Sequence, residues 1–172
     1  MSTYTLVYVS KAVGAAAGAE AGREVAAILA TARRKNPPRG VTGALLVTEG
    51  RFVQALEGER DAVQSTFDRI SRDPRHEDIE VLSSQFTDRP RFSEWSMAFV
   101  GDTPALRERF ADAPLAALGR RETGDALLDF MLDVARSPDE DYSSSFAICR
   151  QWRLTDRNRS SSRCGRRVMV AL

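Results

Sequence analysis

Cysteine and histidine are almost missing from this sequence: Cys149, Cys164 and His76 are the only such residues among 172. Two poorly spaced thiols exclude a disulfide framework and a zinc site, and one histidine excludes a two-histidine metal pair within the chain. No metal is therefore expected. Cys149 reads as a core residue and Cys164 as an exposed thiol. No apolar run approaches the length of a membrane span, and the opening MSTYTLVYVSK lacks the layout of a signal peptide. The expected setting is cytoplasmic. The chain also lacks an internal repeat, a nucleophile paired with a base, and paired carboxylates, so no catalytic residue is expected and hydrolytic chemistry has little support.

What is present is ordinary for a soluble globular protein, with 42% hydrophobic and 28% charged residues. The length suits one domain plus an appendage. The net charge of +1 hides an asymmetry: from Arg150 onward seven arginines and one acid, Asp156, give +6, which leaves −5 for the preceding chain. Three segments follow from this: 1–101 as the folded domain, 102–149 as a helical extension, and 150–172 as an arginine-rich tail, disordered by composition. Beyond Trp152 the tail lacks interleaved aromatics, so it reads as solvated rather than as binding nucleic acid or anionic lipid.

The chain is organised around GVTGALLVTEGRFVQALEG, residues 40–58. Val41 to Val47 is an apolar strand, Glu49-Gly50 supplies a turn, and Phe52 to Glu57 returns. Alternation puts Phe52, Gln54 and Leu56 on one face and Val53 and Ala55 on the other. Gln54 is the anomaly. Either it reaches water from an edge strand, or it is buried, where an unpartnered amide costs roughly 2–7 kcal/mol and specific partners are required.

Around the hairpin, Tyr4 to Ser10 reads as a strand with Tyr4, Leu6, Tyr8 and Ser10 on one face. The segment KAVGAAAGAEAG reads as a flexible lead-in, its glycines opposing the helix its alanines favour. Arg23 to Lys35 is an amphipathic helix with Val25, Ile28, Leu29 and Ala32 on one stripe; Pro37 ends it by pushing Asn36 out of the α region. Arg60 to Arg72 is a second helix, with Val63, Phe67 and Ile70 inward and Glu57 and Glu59 favouring its start. After the turn Asp73-Pro74-Arg75-His76 come strands Ile79 to Phe86 and Trp95 to Val100, the latter with Trp95, Met97 and Phe99 on one face. Helical pieces follow at Pro104 to Ala111 and Thr123 to Arg136. The apolar surface of the second, around Leu127, Phe130, Met131 and Val134, covers the open face of the sheet or pairs with another subunit. Residues 142–149 are ambiguous.

The predicted class is α+β: a ferredoxin-like βαββαββ mixed five-stranded sheet with two helices on one face, plus C-terminal helices. In that topology the first and third strands are central neighbours. Tyr8, Asn36, Gln54 and Met97 or Trp95 then converge between the helices and the sheet. An uncharged hydrogen-bonding cluster in an apolar pocket suits a flat heterocycle with mixed donors and acceptors. Taken alone, His76 reads as a surface turn residue, and Lys35 as a solvated helix-end residue with a phosphate contact as the alternative.

The series VYVS, ARRKNPPRGVTGALLVTEGRFVQALEG, DPRH and RFSEWSM, in that order over about residues 4–100, resembles the BLUF family of flavin-binding blue-light sensors. The resemblance implies bound FAD. It makes Tyr8 the photoactive tyrosine and Gln54 the switching glutamine. Asn36 becomes the asparagine that bonds the flavin's pyrimidine edge, Arg75 and His76 a flavin-contacting pair, and Trp95 and Met97 members of the signalling strand. Lys35 stands where many members have asparagine or histidine, and Ala32 where many have serine.

The implied mechanism turns over no substrate. Tyr8 supplies an electron and a proton, Gln54 reorganises by rotation or tautomerisation, and the electron returns. A slip of the fifth strand by two would exchange Trp95 and Met97 at the flavin. The output would be a change in contact with a protein partner, or with a second copy of the chain, through residues after Gly101. A small flavin-dependent oxidoreductase and a flavin-less interaction module on the same fold are the rival readings, which colour and a light-induced red shift separate.

Overall fold

The computed structural model describes residues 2–48, 50–101 and 120–136. The helical piece expected at Pro104 to Ala111, residues 142–149, both cysteines and the arginine-rich tail lie outside the described residues. Five strands form one sheet: β1 (Thr3–Ala12), β2 (Thr42–Thr48), β3 (Arg51–Gly58), β4 (His76–Thr87) and β5 (Ala98–Val100). Their order is β4-β1-β3-β2-β5, so the first and third strands are central neighbours as the sequence predicts. All pairs are antiparallel except β2 with β5, which makes the sheet mixed.

Two helices cover one face. In α1 (Ala21–Lys35) Val25 and Leu29 are buried, with Ile28 and Ala32 beside them, an i, i+3, i+4, i+7 stripe. In α2 (Arg60–Ile70) Val63 and Thr66 are buried, with Phe67 and Ile70 partly so. These residues pack on Leu6, Tyr8, Leu45, Phe52, Leu56, Met97 and Phe99. The opposite face, built from Val7, Val9, Ala44, Leu46, Val53 and Ala55, lies under α3 (Arg120–Arg136), whose Leu127, Leu128, Phe130 and Met131 are buried there. The helix thus covers the open face of the sheet. With both faces covered, β1 and β3 are buried along nearly their whole length. Alternation then sorts side chains between two cores rather than between core and water.

Close approaches depend on glycine at several positions, Gly43 and Gly124 among them. A Cβ on Gly43 would stand 2.1 Å from the Ala55 carbonyl oxygen, and one on Gly124 would stand 2.8 Å from Ser83 Cβ, where α3 rests on β4. Neither contact admits a side chain without a shift.

Four local expectations need correction. The alanine- and glycine-rich lead-in is ordered: β1 runs on to Ala12, and a 3-10 turn (Gly14–Ala17) buries Ala16 in the α1 core. Gly14 supplies the left-handed step, at φ 60°, that opens this turn. Asn36 stays in the α region, at φ −73° and ψ −46°, because Pro37 and Pro38 begin a new 3-10 turn (Pro37–Arg39) instead of an extended segment. Glu57 does not serve the start of α2; it points to the other face and is fully buried. Finally, the fifth strand is only Ala98–Val100, and the chain before it crosses from one face to the other. Trp95 packs with Phe92 against the α3 core while Met97 enters the α1–α2 core, so the two do not share a face.

Candidate functional site

The site is assembled by register. Tyr8 and Gln54 stand directly opposite each other on β1 and β3, and both are buried. The Tyr8 hydroxyl donates to Gln54 Oε1 at 2.5 Å, and Gln54 Nε2 donates to Met97 Sδ at 3.3 Å. Gln54 is thus the buried amide with specific partners. Its orientation is dictated by chemistry: a phenol gives its proton to the carbonyl end, and a thioether sulfur can only accept from the amine end. Burial, with the negative charge of Asp73 adding to it, pushes the Tyr8 hydroxyl above the ordinary phenol range, so its proton stays in place. Phe67 of α2 packs on its ring, with centroids 5.2 Å apart.

Beside Gln54, a cavity of about 200 Å³ opens between α1 and α2. Ile28, Ala32 and Ile70 give it apolar walls, and Asn36, Gln54, Thr31, Thr66 and His76 give it polar ones; Lys35, Arg69, Asp73 and Arg75 add charge. Of the bonded trio, Gln54 is the member that lines the cavity, with Tyr8 and Met97 behind it.

Asn36, buried at the carboxyl end of α1, lines the cavity and donates Nδ2 to the Ser96 carbonyl at 3.0 Å. One turn earlier, Arg33 Nε donates to the Met97 carbonyl at 3.2 Å. The end of α1 therefore holds two consecutive carbonyls of the segment that carries Met97.

Arg75 braces the wall. Its guanidinium donates to both Asp73 oxygens, at 2.8 and 2.6 Å, and to Glu24 of α1 at 3.3 Å. The same pairing holds Asp73 below the usual carboxylate range. The neighbouring His76 pairs through Nδ1 with Ser10 Oγ at 2.8 Å, and its ring packs at a tilt on Phe52, centroids 4.8 Å apart. Burial lowers its pKa from the ordinary imidazole value.

Of the seven residues singled out from sequence, Asn36, Gln54, Arg75 and His76 line the cavity, and Tyr8 and Met97 touch Gln54 from behind. Trp95 lies on the far side of the sheet. Sequence reasoning missed Thr31, Thr66, Arg69, Asp73, Glu24 and Ser10. Arg69 and Thr66 had a readable signal, since an i, i+3 pair shares one helix face. Glu24 and Ser10 had none, because their partners lie 51 and 66 residues away.

FAD fits this donor set. The two amides and the imidazole supply mixed donors and acceptors in reach of an apolar slot, and Lys35 and Arg69 offer cations for phosphate at its border.

Comparison with known proteins agrees. Photoactivated adenylate cyclase subunit beta of Euglena gracilis is 37% identical over 111 residues, which is 64% of this chain and 12% of that protein. The chain thus spans about an eighth of the length of that curated relative. BlsA in its photo-activated state superposes with a TM-score of 0.69 at 26% identity, covering 76% of this chain and 94% of that one. The dark state of BlrB, a BLUF protein, gives 0.57 at 30% identity, covering 72% and 97%. Residues 3–98 match the family described as BLUF, sensors of blue-light using FAD, and the chain belongs to that family.

Proposed function

We propose that the chain is a blue-light photoreceptor whose switch is the Tyr8–Gln54–Met97 chain of hydrogen bonds, with FAD held between α1 and α2. The carrying observation is that Gln54 touches the cavity on one side and both Tyr8 and Met97 on the other. Asn36, Gln54 and His76 would hold the flavin ring, with Ile28, Ala32 and Ile70 excluding water around it. When bound, FAD absorbs blue light and exchanges an electron with its surroundings.

The rest belongs to the chain's own side chains. Tyr8 keeps its proton in the dark because burial opposes the phenolate, and Gln54 Oε1 is the acceptor placed to receive it. A Gln54 amide that turns over would present its amine to Tyr8 and its carbonyl to Met97. The thioether has no proton to give, so Met97 must give way. Displacement of Met97 is then the first structural consequence of light.

The displacement leaves through the segment before β5 towards residues beyond Gly101. On this reading 1–101 is the photosensory unit, 102–149 carries the output, and a cytoplasmic partner protein or a second copy of the chain receives it. The relative named as a photoactivated adenylate cyclase matches over only 12% of its length, which supports a sensory unit that acts on something outside itself.

The test is a dark-purified protein examined by absorption. The expected result is a bound oxidised flavin whose spectrum shifts to the red under blue light, without added reductant, and returns in the dark. A colourless protein, or one that bleaches only with reductant, would overturn the reading.

A further inference from the structure

Glu57 is a fully buried acid that the switch does not use. It lies three residues beyond Gln54 on β3 and points to the opposite face. Its Oε2 accepts the backbone N–H of Phe92 at 2.8 Å, and its Oε1 accepts the Thr5 hydroxyl at 3.3 Å. Burying a carboxyl group is costly, and satisfying one backbone N–H does not require an acid. The two oxygens of Glu57 let one side chain hold β1, through Thr5, and the Phe92 backbone together.

The segment it holds is the strap between β4 and β5. Phe92 is buried in the α3 core, and Trp95 packs edge-on against it with centroids 6.3 Å apart. At its other end the strap reaches Met97, the partner of Gln54. One strand therefore grips one strap twice, through Gln54 at Met97 and through Glu57 at Phe92. Where the first grip changes and the second does not, the displacement is taken up between them. Trp95, the large side chain in that interval, packs against the hydrophobic cluster that α3 shares with the sheet.

We propose, resting on the photoreceptor reading above, that Glu57 is a positioning residue of the light response: it pins Phe92, so that movement at Met97 is delivered to Trp95 and α3. Glu57 touches neither the cavity nor Tyr8, so it can be changed without removing any part of the switch.

The experiment uses the full chain carrying Trp152→Phe, which leaves Trp95 as the one tryptophan. Glu57→Gln keeps an oxygen for the Phe92 N–H, whereas Glu57→Met fills similar space without one. The expected parent protein shows both the flavin red shift and a light-minus-dark change in Trp95 emission. Glu57→Gln keeps both. Glu57→Met keeps the red shift, loses the emission change, and alters the dark-recovery half-time. Amide exchange in the unmutated chain gives a second reading that needs no variant to fold: Phe92 stays protected in dark and light, while amides of Trp95 to Met97 change. A Glu57→Met protein with the full emission change, or a Phe92 amide that opens in light, would overturn the pin while leaving the photoreceptor reading intact. Absence of the red shift in the parent would overturn both.

Discussion

The two faces of the sheet are drawn from alternate residues of the same strands, yet they treat polar groups in opposite ways. Under α1 and α2, Tyr8, Gln54 and Asn36 form partnered bonds beside open space. Under α3, Glu57 accepts from Thr5 and Phe92, Gln85 bonds Asp125 at the edge, the Ser83 hydroxyl has no partner among the described residues, and the packed centre is apolar. One face keeps its polar groups available to a ligand; the other buries them or leaves them idle. The difference separates sensing from docking: a polar side chain lost from the first face costs the response, and an apolar one lost from the second costs the attachment of α3.

The largest expected effect tests the first half of that contrast. Tyr8→Phe removes one hydroxyl and Gln54→Leu one amide, each with little change in volume, so both proteins should fold and bind flavin. Both should lose the reversible red shift altogether, because each breaks the Tyr8–Gln54 bond. Absorption before and after blue light reads it directly. A normal shift in either would remove the switch assigned here.

Next in size is Leu128→Ala on the opposite face. Leu128 is fully buried between α3 and the sheet, and truncation of such a residue typically costs about 2–5 kcal/mol. Thermal melting should show the loss, while the red shift survives in whatever remains folded. Loss of the spectral response at temperatures where flavin stays bound would show that the faces are not separable.

Much of this was legible beforehand, and the reason is register. Strand alternation and the β-α-β-β order bring Tyr8 and Gln54 together, and the ladder pairs them directly. Gln54 stood out because an amide between Phe52 and Leu56 has no packing rationale. The misreadings share a cause as well. The alternation of WSMAFV predicts Trp95 and Met97 on one face, but only Ala98–Val100 pairs with β2. Before that, Gly43 N–H donates to the Trp95 carbonyl and α1 side chains donate to those of Ser96 and Met97, so the backbone follows its donors rather than a pleat. Glu57 looked like a helix-start acid because its neighbours in sequence are visible and Phe92, 35 residues on, is not.

A smaller effect concerns the wall of the cavity. His76 is the sole histidine, so its ring protons titrate without overlap in a proton NMR spectrum. Burial is the leading cause lowering its pKa, with Asp73 opposing and Arg75 assisting. The folded value is depressed, so the stability it contributes is present above the unfolded value near 6.5 and is lost as pH falls through the folded one. The titration midpoint should therefore lie below 6.5, and the Ser10 contact should weaken on the acid side. A midpoint above 6.5 would place a negative partner, rather than burial, in control of the ring.

The smallest expected change bears on the idle polar group of the α3 face. Ser83 Oγ is buried without a hydrogen-bond partner among the described residues, where Gly124 brings α3 close against β4. A buried hydroxyl that makes no bond in the folded state still gives up its bonds to water, a loss of about 1–3 kcal/mol when nothing replaces them. Ser83→Ala removes that loss and leaves a methyl group in the same space, where the hydroxyl is too small for its absence to open a cavity. The variant should melt at the same temperature as the parent or slightly above it, and its red shift should be unchanged. The contrast with Gln54→Leu is then sharp: one buried polar group is removed from each face, and only the removal beside the cavity silences the protein. A Ser83→Ala protein that melts well below the parent would mean that the hydroxyl is bonded after all.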